Sequence, residues 1–117
     1  MTHRIYNMTF ASVYRALVAK AERKGRTAQD VHEVTSWLTG YSTEAIATLF
    51  ESDLTYGDFF RQAPNYNPNR IKITGKICGV QIETLEDPLM QEIRRLDKLV
   101  DWVAKGKTFK QIKDKYE

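Results

Sequence analysis

Residues 88–105 constrain this chain more than any other stretch. Leu89, Ile93, Leu96, Val100 and Val103 recur there at three- and four-residue steps, the spacing that lines up along one side of an α-helix. Asp87 suits the N-cap, Pro88 the first helical position, and Gly106 the left-handed position beyond the end. Residues 70–83, just upstream, read as a β-hairpin. With Gly75-Lys76 as a two-residue type II′ turn, Thr74 faces Ile77, Ile73 faces Cys78 and Ile71 faces Val80. That register puts Ile71, Ile73, Cys78, Val80 and Ile82 on one face, with Lys72, Thr74 and Gln81 on the other. A two-stranded hairpin is marginal alone, so the expected arrangement packs its apolar face on the helix and buries Cys78 as an inert thiol.

Upstream of the hairpin the chain reads as helical. Thr9 suits a cap for a first helix that buries Phe10, Val13, Tyr14, Leu17 and Ala21 and ends at Gly25. Thr27 and Asp30 open a second, with Val31, Val34 and Leu38 inward, Trp37 on its flank and Gly40 as its stop. Ser42 starts a short third helix through Ile46, Leu49 and Phe50, and Thr55 a fourth carrying Phe59 and Phe60. Residues 64–69, rich in Asn and Pro, form the clearest loop. Thr108 and Gln111 make a capping box for a last helix burying Phe109, Ile112 and Tyr116. Residues 3–8 alternate enough to add a third strand to the hairpin.

The fold class expected is therefore α+β: a hairpin, or a three-stranded sheet if residues 3–8 join it, packed on a long helix and surrounded by shorter ones. At 117 residues, 42% hydrophobic and 28% charged, the chain fits one domain over 1–117. Cys78 is the only cysteine, which excludes an internal disulfide. The first ten residues hold no sustained apolar run of the secretory kind, and no stretch approaches the ~18–20 apolar residues of a membrane span. A cytoplasmic location follows as the expectation.

Few residues suggest chemistry. Gly106-Lys107-Thr108 resembles the tail of a phosphate-binding loop, but Asp101 stands where that loop needs its first glycine. His3 and His32, the only histidines, lack metal-ligand partners at suitable spacing, so no metal site is expected and His32 reads as a surface or boundary residue. Glu83, Glu86 and Asp87 suit the start of a helix better than acid–base catalysis. Serine-nucleophile signatures are absent, and no catalytic residue is assigned. The net charge of +3 is zoned: Arg15, Lys20, Arg23, Lys24 and Arg26 stand near Glu22 alone, and Lys105, Lys107, Lys110, Lys113 and Lys115 near Asp114 and Glu117. Within the first zone, Lys20, Arg23, Lys24 and Arg26 form a candidate anion or nucleic-acid site.

Several consecutive runs then carry a resemblance: His3-Arg-Ile-Tyr6, Phe10-Ala-Ser-Val-Tyr14, Ala21-Glu-Arg-Lys-Gly-Arg-Thr27 and Trp37-Leu-Thr-Gly-Tyr41. Asn67-Pro-Asn69, Cys78-Gly-Val80 and Glu86-Asp-Pro-Leu-Met-Gln-Glu-Ile93 add to it. The sequence resembles the uncharacterised bacterial family of domain of unknown function number 2200; Arg15 departs from the pattern, where proline is expected. The resemblance implies a bacterial, cytoplasmic, stand-alone domain and brings no activity, cofactor or site residue with it. The leading expectation is a non-enzymatic binding or regulatory module for an unidentified protein or small molecule, with a homodimer compatible. A nucleic-acid-binding protein using Lys20, Arg23, Lys24 and Arg26 is the alternative, and a small enzyme of unknown class the third.

Overall fold

The computed structural model describes residues 4–117. Helices α1 (Phe10–Glu22), α2 (Ala28–Thr39), α3 (Thr43–Leu49) and α4 (Tyr56–Arg61) precede a minimal hairpin, β1 (Lys76–Ile77) and β2 (Val80–Gln81). Helices α5 (Pro88–Ala104) and α6 (Phe109–Tyr116) follow it. Each helix begins on a side chain that accepts a first-turn amide: Thr9, Thr27, Ser42, Thr55, Asp87 and Thr108. Such caps are worth about 1 kcal/mol each, enough to fix where the short helices start. Thr27 and Thr108 have full capping boxes, with Asp30 and Gln111 returning the bond.

The centre of the molecule is α5. Met90, Ile93, Leu96, Leu99, Val100 and Val103 are buried along it, whereas Leu89 is only half-buried. The buried face is wider than the expected stripe because α1, α2 and α4 pack around α5 from several sides. They contribute Phe10 and Tyr14, Val31 and Leu38, and Tyr56, Phe59 and Phe60. The rings of Phe10 and Phe59 lie 4.3 Å apart, and Tyr41 stacks on Phe59 at 4.6 Å. At the end of α2, Gly40 has φ 84°, and a Cβ there would lie 2.6 Å from the Asn65 carbonyl oxygen. Only glycine lets the 62–67 loop fold back so closely, with the Asn65 and Asn67 amides donating to Thr39 and Leu38 carbonyls.

The α+β expectation is corrected. The protein is predominantly helical, its sheet holds two residues per strand, and helices rather than the hairpin form the main cover of α5. The reason lies at Asn67-Pro68. Asn67 caps a 3₁₀ turn over Pro68–Lys72, which takes the residues expected to form the first strand. A 3₁₀ turn places residues three apart on one side, so Arg70 and Ile73 turn inward together and Ile71 is left 65% exposed.

The hairpin register shifts with it. Lys76 pairs with Gln81 and Ile77 with Val80, so the turn falls on Cys78-Gly79 rather than Gly75-Lys76. Cys78 and Gly79 have φ of 53° and 77°, the left-handed pair of a type I′ turn. Cys78 is therefore exposed at the hairpin tip, not buried. The expected third strand is absent among the described residues: Arg4–Asn7 is a 3₁₀ turn, and the nearby strand-like bridge joins Thr9 to Thr55. His3 lies outside the described residues.

Candidate ligand-binding groove

The corner between α5 and α6 builds the most distinctive surface of the molecule. The chain turns at Gly106 (φ 99°), the Lys107 amide donates to the Trp102 carbonyl at 3.1 Å, and Thr108 starts α6. The turn folds α6 back so that the Trp102 indole N–H donates to the Tyr116 hydroxyl at 3.1 Å. Tyr116 is buried and lies 6.2 Å from the Trp37 ring, which ties the corner to α2. The 3₁₀ turn at Pro68–Lys72 also packs on α6 and brings Lys72 and Thr74 to the same place. Lys98 stands one helical turn before Trp102, and its ammonium donates to the Lys76 carbonyl of β1 at 3.1 Å.

Two cavities meet here. One, of about 260 Å³, is lined by Trp102, Lys107, Gln111, Ile112 and Lys115. The other, of about 280 Å³, is lined by Lys72, Thr74, Lys98, Trp102, Lys115 and Tyr116. They share Trp102 and Lys115, so they form one groove on either side of an indole. Every charged residue lining it is a lysine: Lys72, Lys98, Lys107 and Lys115. None of these four makes an ion pair among the described residues. The nearby carboxylates are engaged elsewhere. Asp101 binds Lys20 at 3.2 Å and Lys105 at 3.0 Å, and Asp114 binds Lys110. Burial raises the Asp101 pKa, but the Lys105 and Lys20 ammonium groups outweigh it and hold that carboxyl below its ordinary range. Glu83 accepts from the Gly75 amide and the Gln81 side chain at the base of the hairpin, bonds that lower its pKa, and the charge of Lys98 lowers it further without a direct ion pair.

The basic residues singled out in the sequence lie at the C-terminal end of α1 and in the turn after it. Lys20 is paired with Asp101, and Arg26 is half-buried with its Nε lacking a partner. Arg23 and Lys24 are exposed. Of the acidic trio, Asp87 caps α5 and also accepts from the Tyr6 hydroxyl, whose pKa burial and this carboxylate push up to about 12. Glu86 is exposed.

His32 is the clearest correction at the level of single side chains. It is buried, 8% exposed, against Tyr14 and Phe50. Helical spacing placed it beside the buried stripe of α2; the aromatic face of α1 that closes over it comes from a different segment. Among the described residues, no group of His, Cys, Asp and Glu is arranged to hold a metal ion.

Sequence reasoning missed the groove. It noted the basic run after residue 105, but Lys72 and Lys98 come from separate segments that only the packing of α6 on the 3₁₀ turn brings together. Trp102 was one more aromatic in an amphipathic helix. Six capped helices among the described residues, with a lysine-lined groove at the α5–α6 corner, define a small helical protein. The chain belongs to the family described as an uncharacterized protein conserved in bacteria, DUF2200, whose model matches residues 4–114. It is similar to the crystal structure of uncharacterized protein SP1917, at 66% identity and a TM-score of 0.96, over 99% of this chain and 95% of that one. No curated protein matches the chain. No helix among the described residues is long and apolar enough to cross a membrane.

Proposed function

We propose that this protein is a non-enzymatic binding module of the bacterial cytoplasm whose ligand is an anion held in the Trp102 groove. The observation that carries the reading is the set of four lining lysines without a single ion pair among the described residues. Isolated surface lysines attract little, but several ammonium groups around one concave surface focus their field on whatever enters it. Each charge contact is worth ~1 kcal/mol in open water and up to ~4 kcal/mol where a surface lowers the effective dielectric. The lining supplies hydrogen-bond donors rather than a base. Tyr116 is kept protonated by burial, which outweighs its bond from Trp102. An unpaired, exposed Cys78 is compatible with a reducing compartment.

The reading is tested by titrating the ¹⁵N-labelled full chain with inorganic tripolyphosphate and following amide shifts. Perturbations gathered at Thr74, Lys98, Gln111 and Lys115, and lost in the Lys72→Glu, Lys115→Glu double variant, are the expected result. Shifts centred on Arg23 and Lys24 would instead favour the basic patch and a nucleic-acid partner. No shifts at all would remove the anion reading.

A further inference from the structure

The groove has two unlike halves joined by one aromatic ring. One cavity is lined by Lys72, Lys98 and Lys115, with the Thr74 and Tyr116 hydroxyls beside them. That set suits a chain of phosphates: several cations and neutral donors, no carboxylate. The other cavity is walled by the Trp102 indole and the Ile112 side chain, with Gln111 and Lys107 at its edge. Trp and an aliphatic wall suit a flat, weakly polar ring. Small-ligand sites commonly measure about 300–1,000 Å³. At about 260 and 280 Å³ each half lies near the lower end of that range, and the two share Trp102 and Lys115. A ligand that reaches both halves carries both chemistries and bridges them across Lys115 and Trp102.

The polar groups at the ring-binding half are also one-sided. The Gln111 side-chain oxygen accepts from the Thr108 amide at 2.9 Å in the capping box, which leaves its amide N–H groups to face outward. Lys107 adds only N–H donors. A base edge that meets this pair should present acceptors. Guanine, with O6 and N7 side by side, does so; adenine puts a donor next to its N7.

Resting on the anion reading above, we infer that the groove takes a nucleoside polyphosphate, with guanine the favoured base. Trp102 carries the base, while Lys72, Lys98 and Lys115 take the phosphates. The Lys115 and Lys105 ammonium groups lie 5.2 Å and 5.5 Å from the centre of the Trp102 ring. Entry of the ligand exchanges the Lys115 cation–π contact for a base stacked on the indole, and the freed ammonium turns to the phosphate chain.

The test compares GTP, ATP and tripolyphosphate by isothermal titration of the full chain at fixed ionic strength. GTP should bind at least ~10-fold more tightly than tripolyphosphate, as expected for one base–aromatic stack of ~1–3 kcal/mol, with ATP weaker than GTP. In a Trp37→Phe variant, where Trp102 is the one remaining indole, GTP should quench the emission and tripolyphosphate should not. Trp102→Leu should abolish the advantage of GTP over tripolyphosphate. Trp102→Leu also removes the indole donor that holds Tyr116 at the α5–α6 corner, so Lys107→Ala, at an exposed side chain, provides a second check: it should narrow the gap between GTP and ATP. Equal affinities for GTP and tripolyphosphate would overturn the nucleotide assignment and leave the anion reading standing. ATP binding as tightly as GTP would overturn the choice of base. Tight binding of single-stranded RNA with none of GTP would reassign the groove to a polymer, and binding of neither GTP nor tripolyphosphate would overturn both readings.

Discussion

The Tyr14 hydroxyl lies 2.9 Å from Nδ1 of His32 and 3.1 Å from the Thr35 hydroxyl. Thr35 also donates to the Val31 carbonyl at 2.8 Å. Tyr14, His32 and Thr35 thus join α1 to α2 by polar contacts within an aromatic and aliphatic surround.

Stability should accordingly depend on pH through His32. Burial lowers its pKa below the ordinary value of 6.5. Between the two values the unfolded chain holds a proton that the folded one does not, so stability rises with pH there. The contribution is fully present above about pH 6.5 and is lost as pH falls through the folded-state pKa. Denaturant melts across pH 5–8 should show a decline on the acid side that is shallower in His32→Gln. An NMR titration placing the His32 pKa above 6.5 would contradict this. Tyr14→Phe should cost ~1–3 kcal/mol at neutral pH, because it leaves Nδ1 of His32 and the Thr35 hydroxyl without their partner in a buried site.

The corrected path of residues 68–82 makes a sharp contrast between two isoleucines. Ile73 is wholly buried, so Ile73→Ala should cost ~2–5 kcal/mol by loss of contacts and the cavity left behind. Ile71 is exposed, and Ile71→Ala should change stability by less than ~0.5 kcal/mol. A hairpin with Ile71 and Ile73 on one buried face would make the two costs similar. Urea unfolding of both variants decides between them.

Glu92 is buried between two guanidinium groups, accepting from Arg70 at 2.6 Å and Arg95 at 2.7 Å. Arg70 also lies over the Tyr66 ring at 4.6 Å, so this carboxylate fastens the 3₁₀ turn to α5. Removing one member of a buried ionic group leaves uncompensated charge, and Glu92→Ala should cost ~3–5 kcal/mol. The exposed Asp58–Arg61 pair is the control: Asp58→Ala should cost no more than ~1 kcal/mol. Equal effects in thermal unfolding would mean that Glu92 is not acting as a buried clamp.

The helices were legible because their signals are local. Thr9, Thr27, Ser42, Thr55, Asp87 and Thr108 each announce a start within four residues of the amides they cap, and the stripe of α5 follows from its own spacing. The hairpin was misplaced because the alternation of residues 71–82 fits a turn at Gly75-Lys76, whereas the Asn67-Pro68 start of a 3₁₀ turn, with Arg70 drawn to Glu92 on a distant helix, moves the turn to Cys78-Gly79. His32 and the groove were illegible for a related reason. Each depends on side chains from separate segments, Tyr14 with His32 in one and Lys72, Lys98 and Lys115 in the other, which only tertiary packing brings together.

The proposed anion site draws on Lys72, Lys98, Lys107 and Lys115 together. Its most direct measurement is the dissociation constant of tripolyphosphate for the native chain and for Lys72→Glu, Lys115→Glu, each at ~50 and ~300 mM salt, where screening between exposed charges differs strongly. The native protein should bind, weaken markedly at the higher salt, and lose at least ~10-fold in affinity in the double variant, whose melting temperature should stay within a few degrees because exposed charges contribute little to folding. Affinity unchanged by salt and by the double substitution would contradict the account.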